Sequence, residues 1–118
     1  MIQELSIANW SPPSINKLMG NHWKARDIKK QAMDYIIACA MNAKIKPVGR
    51  CRIVINCFMD NRRNDESNIE AGANKVILDA LKNAGIIKND NKQWLESSTV
   101  IIRYTRFVPE VIVEIEEI

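Results

Sequence analysis

The chain has 118 residues, 47% of them hydrophobic and 26% charged, which fits one folded domain large enough to bury a core without disulfide or metal staples. That balance excludes a disordered chain, and the longest apolar run, residues 35–41, is too short to span a bilayer. The net charge of +3, with a pI near 8.8, permits nucleic-acid binding without requiring it.

Residues 2–7 can form a first strand, ended by Asn9-Trp10-Ser11-Pro12-Pro13-Ser14, in which two prolines forbid regular structure. From 24 to 43, Ile28, Ala32, Ile36, Cys39 and Ala43 recur at helical spacing, and Pro47 and Gly49 are expected to stop that helix. Its start is basic: Lys17, Lys24, Arg26, Lys29 and Lys30 stand against a single Asp27, although a lysine-rich helix face is also what simple solvation produces. Residues 51–59 alternate, with Cys51, Ile53, Ile55, Cys57 and Met59 on one side of a pleat, and predict a strand.

Arg62-Arg63-Asn64-Asp65-Glu66-Ser67-Asn68 then leads into a helix over 68–84, with Ile69, Ala73, Val76, Ile77, Ala80, Leu81 and Ala84 as its apolar face. Asn68, Gly72, Lys75 and Asp79 follow another face, and Gly85 is placed to terminate the helix. Residues 99–105 and 110–116 alternate as strands, with Val108-Pro109 in a connection short enough for a hairpin. The order β-α-β-α-β-β predicts an α+β fold, two main helices on one face of a small mixed sheet.

Cys39, Cys51 and Cys57 form no CxxC pair and are odd in number, so they read as buried small hydrophobes in a reducing compartment. With no basic segment ahead of an apolar stretch at the N-terminus, a cytoplasmic location is the default. His22 is the one histidine, so a metal would have to be held by oxygen. The segment 62–90 supplies such oxygens beside cations, the mixture a metal-dependent phosphodiester-cutting site needs. Each residue also has a structural reading. Asp65, Ser67 or Asn68 can cap the helix, Asp79 can pair with Lys75, and Asp90 can be a turn residue. Trp10, Trp23 and Trp94 can anchor packing, Trp23 having the best case for stacking on DNA, and His22 reads as an exposed or phosphate-contacting residue.

Trp10-Ser11-Pro12-Pro13-Ser14-Ile15-Asn16 resembles the W-P-P-S-x-N opening of RusA-type Holliday-junction resolvases, small endonucleases of bacteria and their prophages. The block from Arg62 to Asn68, then Lys75 to Leu81, Ala84-Gly85 and Asn89-Asp90, resembles that family's R-R-x-D-x-D-N, K-x-x-x-D-A-L, A-G and D-D series. Two positions depart from it: Ser67 stands where the family has its second aspartate, and Asn89 where its closing acidic pair begins. Six residues separate Asn68 from Lys75, roughly one helical turn more than in the shorter family version.

The resemblance implies magnesium-dependent cleavage of branched DNA, with Mg2+ held by aspartates. Asp65 and Asp90 match two catalytic, metal-binding aspartates, Lys75 matches the motif lysine, and Ser67 occupies the third acidic position without its charge. Glu66 or Asp60 could compensate. Lys24, Arg26, Lys29, Lys30, Arg62 and Arg63 would hold phosphates. A homodimer is expected because a four-way junction needs two cuts related by approximate two-fold symmetry. A helix over 68–84 is about 25 Å long, and the five residues after it reach back about 15–18 Å, so Asp65 and Asp90 meet either by a fold-back or across two antiparallel subunits. The alternatives are a non-catalytic junction-binding protein of the same fold, or a partner-binding protein with no DNA role.

Overall fold

In the computed structural model, which describes residues 1–19, 23–60 and 65–118, all buried strand residues face one way and join the helices in one core. The elements in chain order are β1 (Ile2–Ala8), α1 (Ile15–Leu18), α2 (Trp23–Asn42), β2 (Cys51–Met59), α3 (Glu66–Asn83), β3 (Leu95–Tyr104) and β4 (Glu110–Glu117). Over the described residues the fold is α+β, a mixed four-stranded sheet with three helices; α2 and α3 are the two long ones, and α1 is a single turn that the sequence pattern does not announce.

Alternation in β2 is complete: Cys51, Ile53, Ile55, Cys57 and Met59 are buried, and Arg52, Val54, Asn56 and Phe58 lie on the opposite, less covered face. The sheet order is β1-β4-β2-β3, with β2 and β3 parallel and β4 antiparallel to both β1 and β2. The expected hairpin between the last two strands is therefore absent. After β3 the chain passes the end of β2, where Thr105 N donates to Met59 O at 2.8 Å, and β4 inserts between β1 and β2. The placement follows composition, because Val111, Val113 and Ile115 give β4 a fully buried face, whereas β3 carries exposed Ser97, Thr99 and Arg103.

The two long helices end alike. Ile86 N donates to Leu81 O and Gly85 N to Lys82 O around a left-handed Gly85 (φ 76°), the paired bonds of a Schellman cap. At the end of α2, Ile45 N donates to Ala40 O and Lys44 N to Met41 O around a left-handed Lys44 (φ 56°). The helix thus stops before Pro47 and Gly49, which were expected to end it. On α3, Ile69, Ala73, Val76, Ile77, Ala80 and Leu81 are buried as expected, and Gly72 is buried too, under the Pro13–Ile15 backbone.

Candidate functional site

The motif residues are strung along α3 and its two ends. Asp65 is the N-cap: its Oδ1 accepts from Ser67 N at 2.8 Å and from the Ser67 hydroxyl at 2.6 Å. The Ser67 hydroxyl and backbone bonds hold the exposed Asp65 carboxyl below its ordinary range. Of the three capping candidates, Asp65 is therefore the cap, and Ser67 is bonded to it. Glu66, next to them, accepts from the Tyr104 hydroxyl at 2.8 Å, which ties the start of α3 to the end of β3.

Asp90 lies at the other end, 3.9 Å from Lys82 Nζ in the last turn of α3, with its N–H bonded to Asn89 Oδ1 at 2.8 Å. Seventeen residues of rise separate positions 65 and 82, about 25 Å at 1.5 Å each. Beyond Gly85 the loop turns back beside the helix, so that Asp90 lines one groove with Leu78 and Asn74. Lys75 sits between positions 65 and 82 and leans to the α2 side, 3.7 Å from Asp79. Asp79 is the hub of a lysine cluster that crosses between helices: Lys29 of α2 at 2.8 Å, Lys75 at 3.7 Å and Lys82 at 3.8 Å. Partial burial opposes its charged form, but the Lys29 hydrogen bond and the three lysine charges outweigh that and hold its carboxyl below the ordinary value. The expected Lys75–Asp79 pairing is present, and the shortest contact of the cluster is one that helical spacing does not reveal.

A polar groove runs between α3 and β3. Ser67, Glu70, Asn74 and Ser98 line its first part; Asn74, Asp90, Asn91, Lys92 and Ser98 line its second. Asn74 and Ser98 meet across it at 2.7 Å. Glu70 and Asn74 escaped the sequence reading, although both fall within one to two turns of Ser67, the spacing that sets side chains on one helix face. Also missed is the loop tip beside the start of α3, where Phe107 is 83% exposed next to exposed Arg106.

The basic residues of α2 are engaged to different degrees. Lys29 is held by Asp79 and Lys30 by Asp34 at 2.8 Å, so each would reach a phosphate only by exchanging a carboxylate for it. Arg26 is exposed and shares a shallow pocket with Lys29, Lys30 and Asn83, at the Asp90 end of α3. Lys24 lies over the exposed Trp23 ring, 5.8 Å from its centre. Arg62, Arg63 and His22 fall outside the described residues. Cys51 and Cys57 are buried, and burial pushes the Cys57 thiol up to about 12, so neither is a nucleophile at neutral pH.

Magnesium requires several converging oxygens. Among the described residues no three His, Cys, Asp or Glu side chains lie close enough to hold a metal ion, one Asp65 oxygen is already committed to the cap, and Asp90 lies beside Lys82. The donors of the described residues in one chain do not fit the ion. Among the described residues, no helix is long and apolar enough to cross a membrane.

Fold and groove together define a small α+β domain with polar and acidic groups spread along one helix beside an edge strand. No protein-family model matches the chain, and no curated protein matches it.

Proposed function

We propose that the protein is an endonuclease of branched DNA, of the RusA type, dependent on magnesium and acting in the cytoplasm as a homodimer. The observation that carries this reading is that Asp65, Ser67, Asn68, Lys75, Asp79, Gly85 and Asp90, ordered as in that family's motifs, all belong to α3 and its two ends. The opening motif supports it from another part of the chain, since Pro13 to Ile15 pack directly on Gly72 of the same helix. Asp65 and Asp90 are the groups for metal, Ser67 lies beside Asp65, and Lys75 is a cation for the substrate's phosphate. Among the described residues, one chain does not bring a set of metal ligands together.

That ungrouped set of acids, with a hydroxyl in place of one carboxylate, favours a second reading: a junction-binding protein that holds DNA without cutting it. Incubating a synthetic four-way junction with the protein and magnesium, beside the Ser67→Asp variant, separates them. Cutting by the wild type supports the first reading. Salt-sensitive binding with no cutting by either form supports the second, and a protein that neither binds nor cuts would sink both.

A further inference from the structure

Between α2 and the segment from Trp10 to Ser14 lies a cavity of about 450 Å³ that takes no part in the groove beside α3. Its volume falls within the span of small-molecule sites, roughly 300–1,000 Å³. α2 contributes Ile28, Gln31 and Tyr35, and the end of β2 contributes Met59. The walls are set before any ligand arrives. Pro12 and Pro13 have fixed φ, Pro12 is buried, and Pro13 O rests on Gly72. Trp10 packs on the core and its N–H donates to Pro109 O at 3.1 Å. Tyr35 is 40% exposed, yet its hydroxyl is held by Ala8 O at 2.6 Å. A ligand therefore meets two anchored aromatic side chains and loses little to ordering them.

The polar part of the lining has a definite character. Ser11, Ser14 and Gln31 line the cavity, and each can both donate and accept. Ser14 stands at the N-cap of α1 without making a side-chain capping bond, and Gln31 gives an amide hydrogen to Asp27 at 3.3 Å, which leaves Oε1 as an acceptor. Lys17 is the one charged residue of the lining; it is exposed and forms no ion pair among the described residues. Lys29 and Lys30 differ, each being held by an aspartate. Aromatic surface, neutral groups of both polarities and one unengaged cation match a heterocyclic base joined to a phosphate: the ring stacks, its edge takes the hydrogen bonds, and the lysine takes the charge. An aliphatic ligand would leave the serines and Gln31 buried without partners, and a cationic one would meet Lys17.

We infer that this cavity binds one mononucleotide unit, with the base against Trp10 and Tyr35 and the phosphate on Lys17. Two sources share that chemistry, a free nucleotide and an unpaired nucleotide of a DNA strand. Position favours the second, because Pro13 both lines the cavity and covers Gly72, about two turns of α3 from Asp65. The inference stands apart from the nuclease reading, since a nucleotide can be held whether or not a strand is cut.

Two titrations of the full chain test this. In the first, followed by calorimetry, dAMP should saturate one site per chain, and 2-deoxyribose 5-phosphate, which lacks the base, should bind about tenfold more weakly, as for loss of one base–aromatic stack. In the second, a duplex with one bulged 2-aminopurine should show a change in that base's fluorescence that the fully paired duplex does not. Tyr35→Leu and Lys17→Ala should each weaken whichever binding is seen about tenfold, whereas Tyr35→Phe, which keeps the ring, should stay within about twofold of wild type. Circular dichroism checks that the variants fold, and Lys17→Ala, at an exposed position, decides the matter if Tyr35→Leu does not. A response to the bulge assigns the cavity to DNA; dAMP binding without a preference for the bulge assigns it to a free nucleotide. Absence of both, equal binding of the base-free sugar phosphate, or binding indifferent to Lys17 overturns the inference. A protein that cuts junctions yet fails these titrations keeps the nuclease reading and loses this one, and nucleotide binding without cutting does the reverse.

Discussion

Gly72 of α3 lies directly beneath the backbone of Pro13: a Cβ added there would collide with Pro13 O and come within 2.9 Å of Ile15 N. The opposing atoms are backbone, so they cannot rotate away. Replacing glycine by alanine in a helix interior otherwise gains about 1 kcal/mol. Here Gly72→Ala is expected to destabilise by about 3 kcal/mol, the upper part of the range for overpacking. Urea denaturation checks it, and a neutral or stabilising result would show that Pro13 does not press on α3.

Asp79 joins the two long helices through Lys29. Asp79→Asn should cost about 1 kcal/mol at pH 7, as for a partly covered ion pair. The folded carboxyl is held low, so its contribution is complete above the unfolded value of about 3.9 and is lost as pH falls through the folded value. The gap between wild type and variant should therefore shrink below about pH 4. Denaturation at pH 7 and pH 3 measures it, and a gap that widens in acid would contradict the assignment.

Lys44 occupies a left-handed position that costs a side-chain residue about 1 kcal/mol and costs glycine little. Lys44→Gly is expected to raise stability by about 0.5–1 kcal/mol with no effect on any DNA reaction. A loss of stability would mean that the lysine side chain, rather than the backbone cap, holds this end of α2.

Phe107 is exposed at a loop tip next to Arg106, three residues beyond the Tyr104 that bonds Glu66 at the start of α3, and under the proposed function it would stack on an unpaired base. Phe107→Ala should leave the melting temperature unchanged and weaken binding to a four-way junction about tenfold, the low-to-middle range for one base–aromatic stack. Fluorescence anisotropy at fixed salt would show this, and unchanged affinity would remove Phe107 from the DNA surface.

What could be read before the fold was known follows from which interactions are local. The alternation of 51–59 marks β2 to the residue, and Gly85 caps as expected; the apolar face of α3 is right for six residues, whereas buried Leu78 was not on it, buried Gly72 was set with Lys75 and Asp79, and Ala84 is the half-buried C-cap. Alternation reports which face of a strand is buried and says nothing about its neighbour, so the hairpin of the last two strands was expected where β4 in fact inserts beside β2. Lys44 carries no residue-type signal for a left-handed cap, and a four-residue α1 is too short to show periodicity. The site divides the same way. Asp65 as cap and Lys75 beside Asp79 are local and legible; Lys29 on Asp79, Tyr104 on Glu66 and Ser98 on Asn74 join residues from separate elements.

Magnesium-dependent cleavage of a labelled four-way junction, by wild type and by Asp65→Asn at matched concentration and fold, tests the central claim most directly. Paired symmetric cuts by the wild type, lost in Asp65→Asn although it still binds the junction, are the predicted result. Cleavage that is indifferent to Asp65, or none at any magnesium concentration, would contradict it.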